Sequence, residues 1–477
     1  LQAETFDVTE ELQESGTLEV HLGNGWYLGR FGFNPSSSFR YGKEWNLIAE
    51  IHVFYADGSE EVIVTDESWR VHRSNITFSN IYDGEHVDDT LEEMPAEACL
   101  LSQKMPYPED HRSLPLKAHE SFKPELLLSE KGEYIFDLKQ NIAGIFSFKV
   151  YEPEGTVIRL QAGEVLQQGC FYRDNLRTAR AEYVYVSDGK PHVLRPKFTF
   201  YGYRYIKVEG VSNPDPEDFR GIALYSDFEM ISSLKTGNEK INRLIANSIW
   251  GMKGNFLDVP TDCPQRDERM GWTGDAQVFS ATALYYADVY GFYQKYLHDM
   301  ALEQEYFKGL VPMVVPSFDM GDNPMGATSS VWGDATTIIP WNMYLFTGDK
   351  TVLLQHYPAM KSWVEYIRRT DGEDHGWRKA FHFGDWLALD GADKPDAVMG
   401  GTDEAFIADV YYRKSALIVS SAAEILGYRE EAEKYAKLAE EIKEGILEEF
   451  YTPNGRCAVM TQTGQILSIQ NGLGKDE

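Results

Sequence analysis

The stretch NEKINRLIANSIWGMKGNFLDVP, Asn238 to Pro260, decides the fold. It puts Ile241, Leu244, Ile245, Ser248 and Ile249 on one face at helical spacing, the pattern of an amphipathic helix. Before it, the chain alternates in short strand-like runs, such as TLEVHLGN (Thr17–Asn24), WNLIAEIHVFYADGSEEVIV (Trp45–Val64) and YIFDLKQNIAGIFSFKVYEPEGTVIRLQAG (Tyr134–Gly163). Asn24-Gly25, Asp57-Gly58 and Glu154-Gly155 read as turn dipeptides between them. After it, helical patterns cover roughly 276–308, 334–346, 350–370, 403–426 and 428–450, with no strand run between.

The change of period predicts a multidomain chain. Antiparallel β-sandwich domains are expected at 1–104 and 126–232, joined by a linker at 105–125, where Pro106, Pro108, Pro115 and Pro124 interrupt the pattern. An all-α catalytic domain is expected at 233–477. Long helices alternating with loops rich in acids, Trp and Gly suggest an (α/α)₆ barrel with its site at one end. About seven helices are legible where such a barrel needs twelve, and MTQTGQILSIQNGLGKDE (Met460–Glu477) stops in a further helix, so the barrel is expected to be unfinished here. The opening at Leu1 falls mid-pattern, so the start reads as cut and localisation, cytoplasmic or periplasmic, stays open.

Composition narrows the partners. The 477 residues carry a formal net charge of −30, which repels phosphate backbones, so no nucleic-acid partner is expected. No apolar run approaches a membrane span. The four cysteines lie far apart without CxxC spacing, and the 11 histidines show no paired spacing, so neither a disulfide framework nor a catalytic metal nor any cofactor is expected. A homodimer is carried as an open expectation.

Chemistry concentrates in DVPTDCPQRDERMGWTGD, Asp258 to Asp275. It holds Asp258, Asp262, Asp267, Glu268, Asp275, Arg266, Arg269 and Trp272. A solvated charge run is the ordinary reading, but Pro260, Cys263, Pro264, Met270, Gly271 and Trp272 are residues of an ordered, partly buried loop. Such a set suits glycoside cleavage, in which one carboxyl protonates the leaving oxygen and a second carboxylate activates water or attacks the sugar. Other carboxylates would hold sugar hydroxyls, and an indole face would take the ring carbons. A neighbouring aspartate would help keep the acid protonated, while Arg266 and Arg269 would oppose this.

The 22-residue run DVPTDCPQRDERMGWTGDAQVF resembles the signature of the bacterial α-L-rhamnosidases, glycoside hydrolase family 78. The resemblance extends through HLGNGWYLGRFGF, FDLKQNIAG, NLRTARAEYVY, FTFYGYRYIKVEG, VWGDATTIIPWNMY and FGDWLAL, nearly the whole chain. It implies N-terminal sandwiches, an (α/α)₆ barrel and inverting removal of terminal α-L-rhamnose from glycosides or polysaccharides. It makes Glu268 the general acid and puts Asp262, Arg266, Asp267, Trp272 and Asp275 at the rhamnose subsite. Trp332 and Asp334 in VWGD, and Asp385 and Trp386 in FGDW, resemble later pocket loops, although either aspartate could instead N-cap a helix and either indole fill a core. The implied general base, a glutamate, has no counterpart after Trp386; Glu404 is not assigned to it, and the chain by itself is expected to be inactive or nearly so.

Two other classes remain beside this one. A non-catalytic carbohydrate-binding protein would share the sandwiches, since fold alone does not set function. It would have no need of an acid at Glu268. Another (α/α)-barrel enzyme is the second alternative; a lyase on uronates would want a basic cleft, and a phosphorylase a phosphate pocket, neither of which is legible here.

Overall fold

The computed structural model describes residues 2–14, 16–34, 36–101, 107–317, 328–390 and 398–474. Parts of the predicted linker and of both loops that lead to VWGD and follow FGDW fall outside them. Contacts group the chain into two compact units. The first is Leu1–Ser226 with Ala246–Leu257 and Cys263–Arg269. The second is Asp227–Ile245, Asp258–Asp262 and Met270–Glu477.

A ten-stranded sheet organises the first unit. In chain order its strands are β1 (Ile76–Asn80), β2 (Gly84–Asp88), β3 (Leu116–Phe122), β4 (Glu125–Leu128), β5 (Tyr134–Val150), β6 (Val157–Gly163), β7 (Glu182–Val186), β8 (His192–Leu194), β9 (Tyr201–Glu209) and β10 (Phe219–Ser226). Spatially they run β1-β2-β7-β6-β9-β5-β10-β3, with β4 and β8 also paired to β5. Alternating side chains of β5 and its neighbours build an aromatic core, Phe136, Phe146, Phe148, Tyr201, Tyr203 and Phe219, each 1% exposed or less.

Three expectations change here. Strands β1 and β2, from the predicted first domain, join the sheet of the second, and β2 pairs with β7 in parallel rather than antiparallel. Gly84 permits that junction: it has φ +111, and a Cβ there would meet the Glu182 carbonyl at 1.7 Å. The predicted linker is not all connection, because Leu116–Phe122 pairs with β10 as an edge strand, the place where flanking prolines are tolerated. Asn24-Gly25 opens a one-turn helix, Gly25–Leu28, instead of a hairpin. Asp57-Gly58 does turn a hairpin, Glu50–Phe54 against Glu60–Val64.

Eight helices follow residue 238 among the described residues: α1 (Glu239–Asn255), α2 (Thr273–Tyr286), α3 (Tyr290–Tyr306), α4 (Ala335–Thr347), α5 (Lys350–Thr370), α6 (Glu404–Leu426), α7 (Arg429–Phe450) and α8 (Gln462–Gln470). Local signals set their ends. Asp349 caps α5 by accepting from Thr351 N, and Asp403 caps α6 by accepting from Ala405 N and Phe406 N. Gly348 and Gly427 close α4 and α6 at φ +70 and +83. Helix α5 buries Val352, Leu353, His356, Met360, Trp363, Val364 and Ile367, the i, i+3, i+4 stripe of a core-facing helix. The face predicted on α1 is less buried than its pattern suggests: Ile241 is 44% exposed and Leu244 67%. No described helix is long and apolar enough to cross a membrane.

Candidate active site

The acidic stretch is shared between the units. Its flanks, Asp258–Asp262 and Met270 onward, group with the helices, and Cys263–Arg269 with the sheet. Asp262 and Met270 close the base of the excursion. Asp262 N donates to Met270 O at 3.2 Å, and Met270 N donates to Asp262 Oδ1 at 3.3 Å. This employs one oxygen of the carboxylate expected at the rhamnose subsite and leaves Asp262 half-buried.

Within Cys263–Arg269 the frame is Arg269, fully buried at φ +48. Among the described residues its guanidinium donates to carbonyls: Ile81 O at 2.9 Å, Phe200 O at 2.6 Å, Gln265 O at 2.9 Å and Arg266 O at 3.1 Å. Burial pulls its pKa down, and the Tyr82 and Phe200 rings lie 5.5 and 5.0 Å from its charge. Arg269 was expected to act on the acid's charge. It holds the loop's shape instead, because four of its five N–H donors go to backbone carbonyls.

Glu268 is 8% exposed. Its backbone carbonyl accepts from the Tyr82 hydroxyl at 3.0 Å, and that hydroxyl in turn accepts from Gly32 N at 2.9 Å. Its carboxylate meets two guanidiniums on one oxygen: Arg177 Nη2 lies 2.6 Å and Arg266 Nε 3.1 Å from Oε2. Arg177 is the residue that sequence reasoning missed. It stands in NLRTARAEYVY, after the 3₁₀ turn Asp174–Leu176, at φ +57 and ψ −114. A non-glycine residue there carries roughly 1–3 kcal/mol of strain, tolerated when surrounding contacts hold it. Those contacts are ion pairs, with Nε donating to Asp267 Oδ1 at 2.7 Å while Nη2 serves Glu268. The strained φ is invisible in the letters; an arginine inside a segment of the family pattern was the one available signal.

Asp267 turns inward. It is 1% exposed, with Arg177 on Oδ1, and on Oδ2 the Thr178 hydroxyl and, at 3.9 Å, Arg30 Nη2. Both oxygens are engaged, so the geometry is that of an anchor for Arg177 rather than of a sugar ligand. Glu164, on the turn after β6, accepts from Asn141 Nδ2 at 2.9 Å, and burial raises its pKa.

In the second unit the predicted tryptophans converge. Phe383 lies 6.4 Å from Trp272, 4.5 Å from Trp332 and 5.0 Å from Trp386, ring centre to ring centre. Gly274 makes room, since a Cβ there would meet the Trp332 ring at 2.6 Å. The indole nitrogens of Trp272 and Trp332 are buried and without a hydrogen-bond partner among the described residues. Trp386 is 41% exposed. Asp275 is exposed in the first turn of α2. Asp385 keeps a half-buried carboxylate that accepts from the Thr402 hydroxyl at 2.9 Å, and it does not stand at a helix start.

Asp334 departs from the pocket expectation. It is 0% exposed; Oδ1 accepts from Trp363 Nε1 at 2.9 Å and Ser415 Oγ at 2.6 Å, and Oδ2 from Val331 N at 2.8 Å. It precedes α4 but makes no side-chain cap bond. Burial raises its pKa against those three donors. It ties α4, α5 and α6 together behind Trp332. Buried His382 also escaped sequence reasoning: Nδ1 accepts from Ser330 N at 3.1 Å, which leaves Nε2 to donate to Trp377 O at 2.8 Å. Burial holds its pKa below the usual value.

Residues 229–477 match the family model for the bacterial alpha-L-rhamnosidase 6 hairpin glycosidase domain. Residues 1–98 match the alpha-L-rhamnosidase N-terminal domain, and 128–225 the bacterial alpha-L-rhamnosidase concanavalin-like domain. An alpha-L-rhamnosidase of Formosa agariphila is 35% identical over 99% of this chain and 52% of its own length. The native enzyme of that name from Aspergillus terreus superposes with TM-score 0.88 at 30% identity, over 95% of this chain and 54% of that one. The Streptomyces avermitilis alpha-L-rhamnosidase complexed with L-rhamnose gives 0.86 at 29%, over 95% of this chain and 44% of that one. The chain thus spans about half the length of the relatives it matches.

Proposed function

We propose a function from one premise: the chain belongs to the bacterial α-L-rhamnosidase family. The full-length protein removes terminal α-L-rhamnose from glycosides or polysaccharides with inversion, and Glu268 is its general acid. The observation that carries this reading is the state of Glu268, a nearly buried carboxyl fixed through its backbone by Tyr82 and through one oxygen by two guanidiniums. A positioned carboxyl of this kind aids departure of the glycosidic oxygen and contributes roughly 10²–10⁴-fold.

The remaining roles follow from where each side chain stands. Asp262, whose Oδ1 accepts from Met270 N, and Asp385, which accepts from the Thr402 hydroxyl, are the carboxylates we assign to sugar hydroxyls. The Trp272, Trp332 and Trp386 rings, gathered on Phe383, offer the apolar surface that suits the ring carbons and methyl of a deoxysugar. Arg266 serves the acid, and Asp275 lies at the open side of α2. We read the helices as part of an (α/α)₆ barrel and the sheet unit as sandwich-type domains. The water-activating carboxylate is assigned to no residue of this chain.

The test is release of p-nitrophenol from p-nitrophenyl α-L-rhamnopyranoside by the full-length protein and its Glu268→Gln variant, repeated on a rhamnoside with a poor leaving group. Turnover with β-L-rhamnose formed first, and a loss in the variant that is larger for the poor leaving group, is the expected result. Sugar binding without turnover by the folded parent would return the reading to a carbohydrate-binding protein.

A further inference from the structure

We infer that Arg177, contributed by the loop between β6 and β7, is a positioning residue for proton transfer: it pins Oε2 of Glu268, so that Oε1 delivers the proton. The inference rests on the assignment of Glu268 as general acid and adds to it which oxygen acts and what holds the other.

Glu268 and Asp267 are consecutive carboxylates, which left alone would repel and diverge. Arg177 spans them with the two neighbouring donors on one edge of its planar guanidinium, Nε to Asp267 Oδ1 at 2.7 Å and Nη2 to Glu268 Oε2 at 2.6 Å. Asp267 is the fixed end of that span, 1% exposed and also held by the Thr178 hydroxyl. Arg266 Nε approaches the same Glu268 oxygen, at 3.1 Å. Both guanidiniums therefore converge on Oε2, and among the described residues no donor reaches Oε1. A guanidinium has no acceptor to offer, so a proton on this carboxyl cannot lie between Oε2 and either arginine. Oε1 is the oxygen that carries it. The positive φ at Arg177, +57, fits this role: it is uncommon for arginine, and it is retained where Nε and Nη2 are both held by carboxylates.

Lysine at 177 would keep the charge but, as a point donor, would serve one carboxylate at a time. Arg177→Lys, Arg177→Ala and Glu268→Gln are made in the full-length protein and assayed on p-nitrophenyl α-L-rhamnopyranoside, which needs little protonation, and on methyl α-L-rhamnopyranoside, which needs much. Arg177→Ala is expected to lose on the order of 100-fold in kcat on the methyl glycoside and less than about fivefold on the nitrophenyl glycoside, with KM little changed, and Arg177→Lys to fall between. Equal losses on the two substrates for both Arg177 variants, while Glu268→Gln still discriminates between them, would overturn the role of Arg177 and leave the acid in place. Should Glu268→Gln itself lose equally on both, the acid assignment falls and this inference with it. If Arg177→Ala fails to fold, Arg177→Lys decides, by the same comparison.

Discussion

Replacing Arg269 by Met is the sharpest test of how the acid-bearing loop keeps its shape. Methionine fills similar space but removes every donor that the guanidinium supplies. Four hydrogen bonds from a charged group, to the carbonyls of Ile81, Phe200, Gln265 and Arg266, are lost. Bonds of that type contribute roughly 1.5–3 kcal/mol each, and two things reduce the sum. The carbonyls of Ile81 and Phe200 keep the Thr199 hydroxyl, at 2.8 and 3.3 Å. Removing a fully buried charge also recovers several kcal/mol of desolvation. A net loss of about 3 kcal/mol is expected, with Arg269→Lys losing about half of that. Urea unfolding gives the energy, and amide exchange over 263–270 locates it, since the loop should open before the sheet does. A shift below about 1 kcal/mol with unchanged exchange in the loop would refute the argument that this guanidinium frames it.

Three further outcomes follow from the same structure. Burial pushes the Asp137 carboxyl up, but Arg204 and Lys139 outweigh it and hold it at about 2, below its ordinary 3.8. A depressed carboxylate stabilises the fold above the unfolded value and ceases to as pH falls through the folded one, so roughly 2 kcal/mol should vanish between pH 4 and 2; urea midpoints across that range should lose this step in Asp137→Asn. Gly333→Ala would place a methyl 2.2 Å from the fully buried Trp363 ring and should cost about 2–3 kcal/mol, read as a lower thermal midpoint of the helical unit. Asp334→Ala strands Trp363, Ser415 and Val331 donors and should cost about 3 kcal/mol or more. If the variant were as stable as the parent but raised KM alone, Asp334 would be a sugar ligand after all.

The parts of this molecule that were legible in the sequence are those specified locally. The predicted helix at 350–370 and the observed α5 coincide because the apolar stripe and the cap at Asp349 lie within a few residues of one another. The span 276–308 was read as one pattern and is two helices, α2 and α3, broken at Ala287–Val289, where no Gly or Pro marks the stop. The acidic stretch stands out through its composition. It could not announce direction: Asp267 and Asp334 look like Asp262 and Asp385 as letters, and donors from far along the chain, Arg177 and Thr178 for Asp267 and Trp363 and Ser415 for Asp334, hold the first pair inward. Arg177 lies 91 residues from the carboxylate it holds, and the parallel pairing of β2 with β7 joins residues nearly a hundred apart, so no period or spacing encodes either.

The grouping of Cys263–Arg269 with the sheet has a consequence for recombination. A chimaera that grafts the helical region onto a foreign front half inherits every letter of the acidic stretch. It loses the partners that give those letters their geometry: the fork of Arg177, the phenol of Tyr82 and the two carbonyls that receive Arg269. Front and back halves of this protein are therefore heritable only as a matched pair.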